Sequence, residues 1–304
     1  MREHFTGLIA PAYTPMSEDG SVDLATIERQ AEALVADGLS AVFTCGGTGE
    51  SLSLSVPERQ AILERWCAVL DGELPVIAHV GHLCLPEARE LAAHAQATGA
   101  EAISAVPPCY FKPRAIPDLV DWCAAIAAAA PDLPFYCYHV PQSTGVHFRM
   151  LEFLEAAKDR IPTLAGMKYT FEDMMDLRLC TAFDGGRFNI LFGREEMLLS
   201  GLVVGVQGSV STGYNFAAPL YLRIYDAFMT GDLATAQAEQ TRAAWLVYTL
   251  KKMDAPWKAI MRMIGIDCGQ PRLPQRRYTE EEYETVRAAL EEFGFFEDCA
   301  GGGR

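Results

Sequence analysis

Lys168 stands near the end of the short apolar run Thr163-Leu-Ala-Gly-Met-Lys-Tyr169, and Tyr138 holds the same place thirty positions earlier in Pro134-Phe-Tyr-Cys-Tyr-His-Val140. If both runs are parallel strands joined by one helix, that spacing is a single strand–helix unit, and amine and phenol emerge side by side from neighbouring strands. Burial in apolar surroundings lowers an amine's pKa, so that part of the population is neutral and can attack a carbonyl to form an imine. A nearby phenol can move the protons this requires. The competing reading is a solvated lysine at a strand end.

The elements that would have to place these two side chains can be read from periodicity. Short apolar strand candidates cover residues 7–13, 40–45, 75–81, 102–107, 134–140, 163–168, 189–193 and 205–211. Between them, residues 24–37, 57–70, 86–98, 116–130, 148–158, 171–183 and 195–201 carry apolar side chains at helical spacing. Ser55 and Glu58 read as a helix start, and Gly38 and Gly99 as helix ends. Eight strand–helix repeats fit an α/β fold of the (β/α)8 TIM-barrel type better than an open doubly wound sheet, and such a barrel builds its active site at the carboxyl ends of the strands, where Lys168 and Tyr138 both fall. The helical patterns at 217–229, 233–251, 256–265 and 279–292 then pack outside the barrel as an appendage. The chain divides into a barrel over 1–226 and a C-terminal helical region over 227–304. The tail 299–304 has no apolar pattern and is expected to fray.

Of the 304 residues, half are apolar, enough for a large core. A formal net charge of −15 excludes a nucleic-acid partner, which needs clustered Lys and Arg, and means that an anionic ligand must be held by local donors. The nine cysteines are scattered without a Cys-x-x-Cys pair and read as reduced core thiols. With no apolar leader at residues 1–7 and no membrane-length apolar run, the expectation is a soluble cytoplasmic protein with no membrane partner. His79 and His82 flank Gly81 without an acidic companion, so they read as barrel-mouth or core histidines. No metal or cofactor is expected. His139 alternates with Tyr138 and should point away from the barrel interior.

The loop after the second strand, Cys45-Gly-Gly-Thr-Gly-Glu-Ser51, has three glycines that let the backbone turn and present its N–H groups, with the Thr48 hydroxyl beside them. It could cradle a carboxylate, a phosphate, or be an ordinary tight turn; its spacing matches neither nucleotide-loop pattern. A carboxylate loop, a phenol and an amine around one barrel mouth imply a 2-oxo acid. The motifs Gly46-Gly-Thr-Gly-Glu50, Tyr138-His-Val-Pro141 and Gly166-Met-Lys168 resemble, in order and spacing, those of the dihydrodipicolinate synthase and N-acetylneuraminate lyase superfamily of pyruvate-dependent class I aldolases. The resemblance spans nearly the whole chain. It implies a Schiff base on Lys168, proton relay by Tyr138, a carboxylate site at Thr48 and the N–H groups around Gly47, and an assisting role for Tyr110, from Pro108-Cys-Tyr110, in a neighbouring subunit's site. Tyr110 is equally readable as an interface aromatic. A homotetramer is also implied.

Within the superfamily the second substrate differs. Ser143 stands where the synthases carry an Arg for a semialdehyde carboxylate, which weakens that reading. Gly193-Arg-Glu-Glu196 and Ser211-Thr-Gly-Tyr-Asn215 are similar to the segments by which the lyases hold sugar hydroxyls, and Leu52-Ser-Leu-Ser-Val56 and Pro271-Arg-Leu-Pro274 resemble animal-type sialic acid lyases. The implied substrate-binding set is Gly47, Thr48, Thr170, Gly193, Glu195, Glu196, Ser211 and Thr212. Both carboxylates are expected to face the cleft and share hydrogen bonds with vicinal hydroxyls, although they would also suit a helix N-terminus. The chain departs from the pattern at Gly47, which lacks the loop's first hydroxyl, at Glu195 in place of Asp, and at Gln142 and Ser143. The resemblance thus implies cleavage of N-acetylneuraminate to pyruvate and N-acetylmannosamine. A lyase or dehydratase for another 2-keto-3-deoxy sugar acid, the synthase, and a non-catalytic 2-oxo acid sensor remain as alternatives.

Overall fold

The computed structural model describes residues 4–301; residues 1–3, part of the stretch read for a leader, and 302–304 of the tail lie outside it. Strands β1 (Gly7–Pro11), β2 (Ala41–Thr44), β3 (Val76–His79), β4 (Ala102–Ala105), β5 (Phe135–His139), β6 (Leu164–Tyr169), β7 (Asn189–Phe192) and β8 (Gly208–Val210) pair in parallel and in sequence order, and β8 returns to β1 to close the barrel. All eight fall within or at the edge of the predicted segments. The connecting helices are α1 (Thr26–Ala36), α2 (Val56–Leu70), α3 (Leu85–Thr98), α4 (Ile116–Ala127), the single turn α5 (Pro141–Thr144), α6 (Met150–Ala157), α7 (Met174–Ala182) and α8 (Leu198–Val203). Then come α9 (Ala218–Met229), α10 (Leu233–Lys252), α11 (Trp257–Met263), α12 (Glu280–Glu292) and the short α13 (Phe295–Asp298). Ser55 and Glu58 form a reciprocal capping box at the start of α2, and Gly99 ends α3 in the left-handed conformation, as their residue types predict.

Alternation along each strand sorts the side chains into two cores. Ile9, Ala41, Phe43, Ile77, Tyr136, Tyr138, Leu191 and Val210 fill the lumen, whereas Phe135, Cys137, Met167, Tyr169 and Phe192 face the helices. His139 follows the outward parity: its ring packs on Tyr169 at 5.2 Å and Phe171 at 5.6 Å. Strand β6 reaches the same parity through an irregularity opposite Phe135 and Tyr136, after which Tyr138 is directly paired with Lys168.

Two expectations fail. Helix α9 packs on β1 and α8 and supplies the eighth helix of the ring, burying Leu220, Tyr221 and Ile224, and its other side carries α10, so it joins the barrel to the C-terminal helices rather than standing outside. The expected division at residue 226 falls inside it. The tail does not fray at once either: Cys299 and Ala300 are buried, and the Gly301 N–H donates to the Phe216 carbonyl at 2.8 Å. Apolar contact through Phe295, itself fully buried against Phe216, carries this end of the chain onto the barrel.

Candidate active site

At the carboxyl ends of the strands, Lys168 enters the lumen with 4% of its surface exposed. Its Nζ lies 4.4 Å from the ring centroid of Phe43 and 4.4 Å from that of Tyr138. Two π faces thus take the place of water around the ammonium group, a partial compensation only. Burial lowers the amine's pKa from 10.5 to about 7, against the pull of the Glu195 carboxylate, so near neutral pH a large share is the free nucleophile.

Tyr138 stands edge-on to Phe43 at 6.0 Å and to His79 at 6.0 Å. Burial pushes its phenol up to about 12, and the adjacent Thr170 hydroxyl pulls it partly back down. Thr170 Oγ1 is itself buried and close, but not in hydrogen-bond geometry. The phenol therefore keeps its proton at neutral pH and is suited to exchange it with a reacting oxygen. Gly193 permits this arrangement, because a Cβ there would fall 1.9 Å from Thr170 Oγ1.

The loop after β2 arches over the phenol. A Cβ on Gly46 would lie 2.7 Å from the Phe43 ring, and one on Gly49 3.0 Å from the Ala12 carbonyl, so the backbone passes where no side chain fits. Gly47 is different: a Cβ there would meet only the Tyr138 hydroxyl, at 4.0 Å. The position left without a hydroxyl by Gly47 is therefore the one facing the phenol. Thr48 Oγ1 hydrogen-bonds Thr212 Oγ1 at 2.8 Å, joining the loop after β2 to the segment after β8.

Glu195 is buried at the mouth, where its Oε1 accepts from the Gly213 N–H at 3.0 Å. Burial, and then Glu196, raise its pKa. Ser211 Oγ is buried beside it, with no hydrogen bond of good geometry among the described residues. Glu196 departs from the expectation that both carboxylates face the cleft. Its Oε1 is taken by Lys251 Nζ at 2.8 Å, with Arg194 Nε at 3.5 Å. A long basic side chain from α10 reaches it, a contact no local pattern announces. Tyr110 follows Cys109, which lines the cavity at the mouth, but is itself 78% exposed and edge-on to Phe111, which is 84% exposed.

The open space has two parts. A cavity of about 200 Å3 is bounded by Gly47, His79, Val106, Tyr138 and Ser143. A second of about 370 Å3 lies toward the C-terminal helices, between Thr48, Thr212, Tyr13, Trp257 and Lys258. Sequence reasoning left His79 as a barrel-mouth or core histidine without a role and did not single out Phe43. His79 accepts from the Val106 N–H at 3.2 Å, and burial, with the positive charges of Arg59 and Lys168, holds its pKa well below 6.5, so it is a neutral wall beside the phenol. Its inward parity at the end of β3 is the signal that could have found it. Among the described residues no group of three or more His, Cys, Asp or Glu side chains is gathered as a metal site, and no helix is long and apolar enough to cross a membrane.

A buried, partly deprotonated lysine paired across the sheet with a phenol, at the mouth of a parallel barrel, defines a class I aldolase. The chain belongs to the Dihydrodipicolinate synthetase family, whose profile matches residues 4–293. It is 38% identical over 301 residues to the N-acetylneuraminate lyase of Mus musculus, covering 97% of this chain and 94% of that relative. The solved Proteus mirabilis N-acetylneuraminate lyase superposes with a TM-score of 0.93 at 37% identity, over 96% of this chain and 100% of the other. The sialic acid aldolase from Aliivibrio salmonicida gives a TM-score of 0.93 at 38% identity, over 97% and 98%.

Because the folded pKa of Lys168 lies below its unfolded value, its burial costs stability wherever the unfolded chain is protonated. The penalty is small above about pH 10.5, grows as pH falls and is complete below about 7. Lys168→Met is therefore expected to raise the Tm more at pH 6 than at pH 10, by about 2–4 °C for each kcal/mol relieved. Thermal unfolding at both values checks this, and an equal gain at both would contradict it.

Proposed function

We propose that this mouth performs the reversible aldol cleavage of N-acetylneuraminate to pyruvate and N-acetylmannosamine through a Schiff base on Lys168. The observation that carries the reading is the register pair Tyr138–Lys168, with the amine buried against the phenol ring. Full-length likeness to N-acetylneuraminate lyases selects the substrate within the family.

The neutral Lys168 amine adds to the C2 carbonyl of the open-chain sugar acid, and loss of water leaves an iminium ion. Tyr138 passes the C4 hydroxyl proton while the C3–C4 bond breaks, the bond's electron pair moving into the iminium to give an enamine. Protonation at C3 and hydrolysis release pyruvate and return the free amine. The substrate carboxylate is taken by the N–H groups at Gly47 and Thr48; among the described residues, no protein group accepts from either. Thr170, Glu195, Ser211 and Thr212 remain as partners for the hydroxylated part.

One observation favours a second reading, a relative acting on another 2-keto-3-deoxy sugar acid: Glu196 is held by Lys251, and Glu195 alone of the two is buried at the mouth. Purified protein should release pyruvate, read through lactate dehydrogenase, faster from N-acetylneuraminate than from 2-keto-3-deoxygluconate. The reverse order would move the function to that reading.

The homotetramer is part of the same proposal, as is a reducing cytoplasmic setting, which nine free cysteines support. A tetramer of dihedral symmetry needs two different self-complementary patches. The exposed pair Tyr110–Phe111 and the exposed pair Trp245–Tyr248, on α10, supply two candidates. Light scattering is expected to give four times the 33.3 kDa chain mass. The monomer mass would contradict the proposal and remove Tyr110 from a shared site.

A further inference from the structure

The loop that receives the carboxylate ends on Glu50, whose backbone is left-handed at φ 59°. For a residue with a side chain such a conformation persists when its surroundings over-determine it. Here they come from the far end of the chain. Glu50 is buried: its Oε1 accepts from Lys258 Nζ of α11 at 2.8 Å, and its Oε2 accepts from the Arg272 N–H at 2.8 Å. Lys258 also donates to the Gln270 carbonyl at 3.3 Å. The Arg272 guanidinium then spans outward, donating to the Ser53 carbonyl at 2.8 Å, the Gly20 carbonyl at 2.7 Å and both oxygens of Glu58. Residues 258–272 thus grip residues 50–58, where the loop leads into α2.

A carboxylate with both oxygens engaged in charge-assisted bonds is not available as a base, and a lysine so held is not available as a nucleophile. The remaining role is geometric. The Glu50 N–H donates to the Gly47 carbonyl at 3.0 Å and the next N–H, of Ser51, to the Gly46 carbonyl at 3.2 Å, so this end of the loop orients the two peptide planes that carry the Thr48 and Gly47 N–H groups. From this juxtaposition we infer that Glu50, Lys258 and Arg272 are positioning residues, and that the C-terminal helical region thereby sets the pose of the loop that takes the pyruvyl carboxylate. The inference rests on the Schiff-base reading of the mouth and adds to it the element that tunes carboxylate affinity.

The test measures how borohydride trapping of the pyruvate imine, read by intact mass, depends on pyruvate concentration in the full-length protein. Removing one partner alone strands a buried charge, so the first variant is the neutral pair Glu50→Gln with Lys258→Met. It is expected to trap completely at saturating pyruvate but to need about tenfold more pyruvate for half-trapping, because the donors are displaced while the amine is not. In turnover, KM rises by a larger factor than kcat falls. Lys258→Arg, which keeps the buried cation, recovers most of the affinity. Arg262→Ala cuts an ion pair to Glu280 at the surface of the same helix and leaves half-trapping at the wild-type concentration. Should the neutral pair not fold, Glu50→Asp, which keeps the buried ion pair but shortens its reach by one methylene, is read the same way. A folded variant with wild-type half-trapping overturns the inference. A wild-type protein that is never trapped overturns the Schiff-base reading instead, so the two failures are distinguishable.

Discussion

Everything at the mouth depends on desolvating one ammonium group. Lys168 is buried in a lumen whose nearest walls are the rings of Phe43 and Tyr138, and these faces attract a cation far less than water does. His79 cannot help, since it is neutral and itself lies under the positive potential of Lys168. Glu195 offsets part of the cost from a distance. The amine therefore sits near pKa 7 rather than in a structural ion pair, which is the difference between a nucleophile and a strut. Lys258 shows the alternative: a lysine equally enclosed, but bonded to Glu50.

The barrel supplies what holds that arrangement. Tyr138 and Lys168 are register partners, so their relation is fixed by backbone hydrogen bonds and not by side-chain choice. Two positions away, a Cβ on Gly166 would fall 1.8 Å from the Asn189 carbonyl, so β6 and β7 approach as closely as they do because that residue has no side chain. The roof of the site is built differently, from a glycine loop whose pose depends on Thr14, which donates to the Gly49 carbonyl, and on Glu50 with its C-terminal partners. A rigid floor thus meets a roof set by contacts distant in sequence.

That division explains what could be read in the sequence. The floor was legible because strand parity and the spacing of Tyr138 and Lys168 are local facts multiplied by one repeating unit. The glycine loop was legible because three glycines within four positions mark a sharp turn, and the Phe43 ring 2.7 Å from a Cβ at Gly46 gives one of them its reason. The assignment of α9 was not, since its periodicity is the same whether it covers β1 or stands outside. The docking of Cys299 and Ala300 was hidden in a segment with no pattern of its own. The capture of Glu196 by Lys251 joins residues fifty-five positions apart, and His79, readable as either a barrel-mouth or a core histidine, is settled only by the contact of its ring with Tyr138.

The paired Thr48 and Thr212 hydroxyls, buried Glu195 and buried Ser211 offer a polar shelf beside an apolar nucleophile pocket, which suits a substrate with a keto acid at one end and hydroxyls at the other. Whether the pocket acts as described comes down to the protonation of one group. With 13C-labelled lysine, and Lys168→Met to assign the signal, NMR titration of the Lys168 Cε resonance reads it directly. A midpoint near pH 7 is expected. A midpoint above about 9, close to that of a solvated lysine, would contradict it.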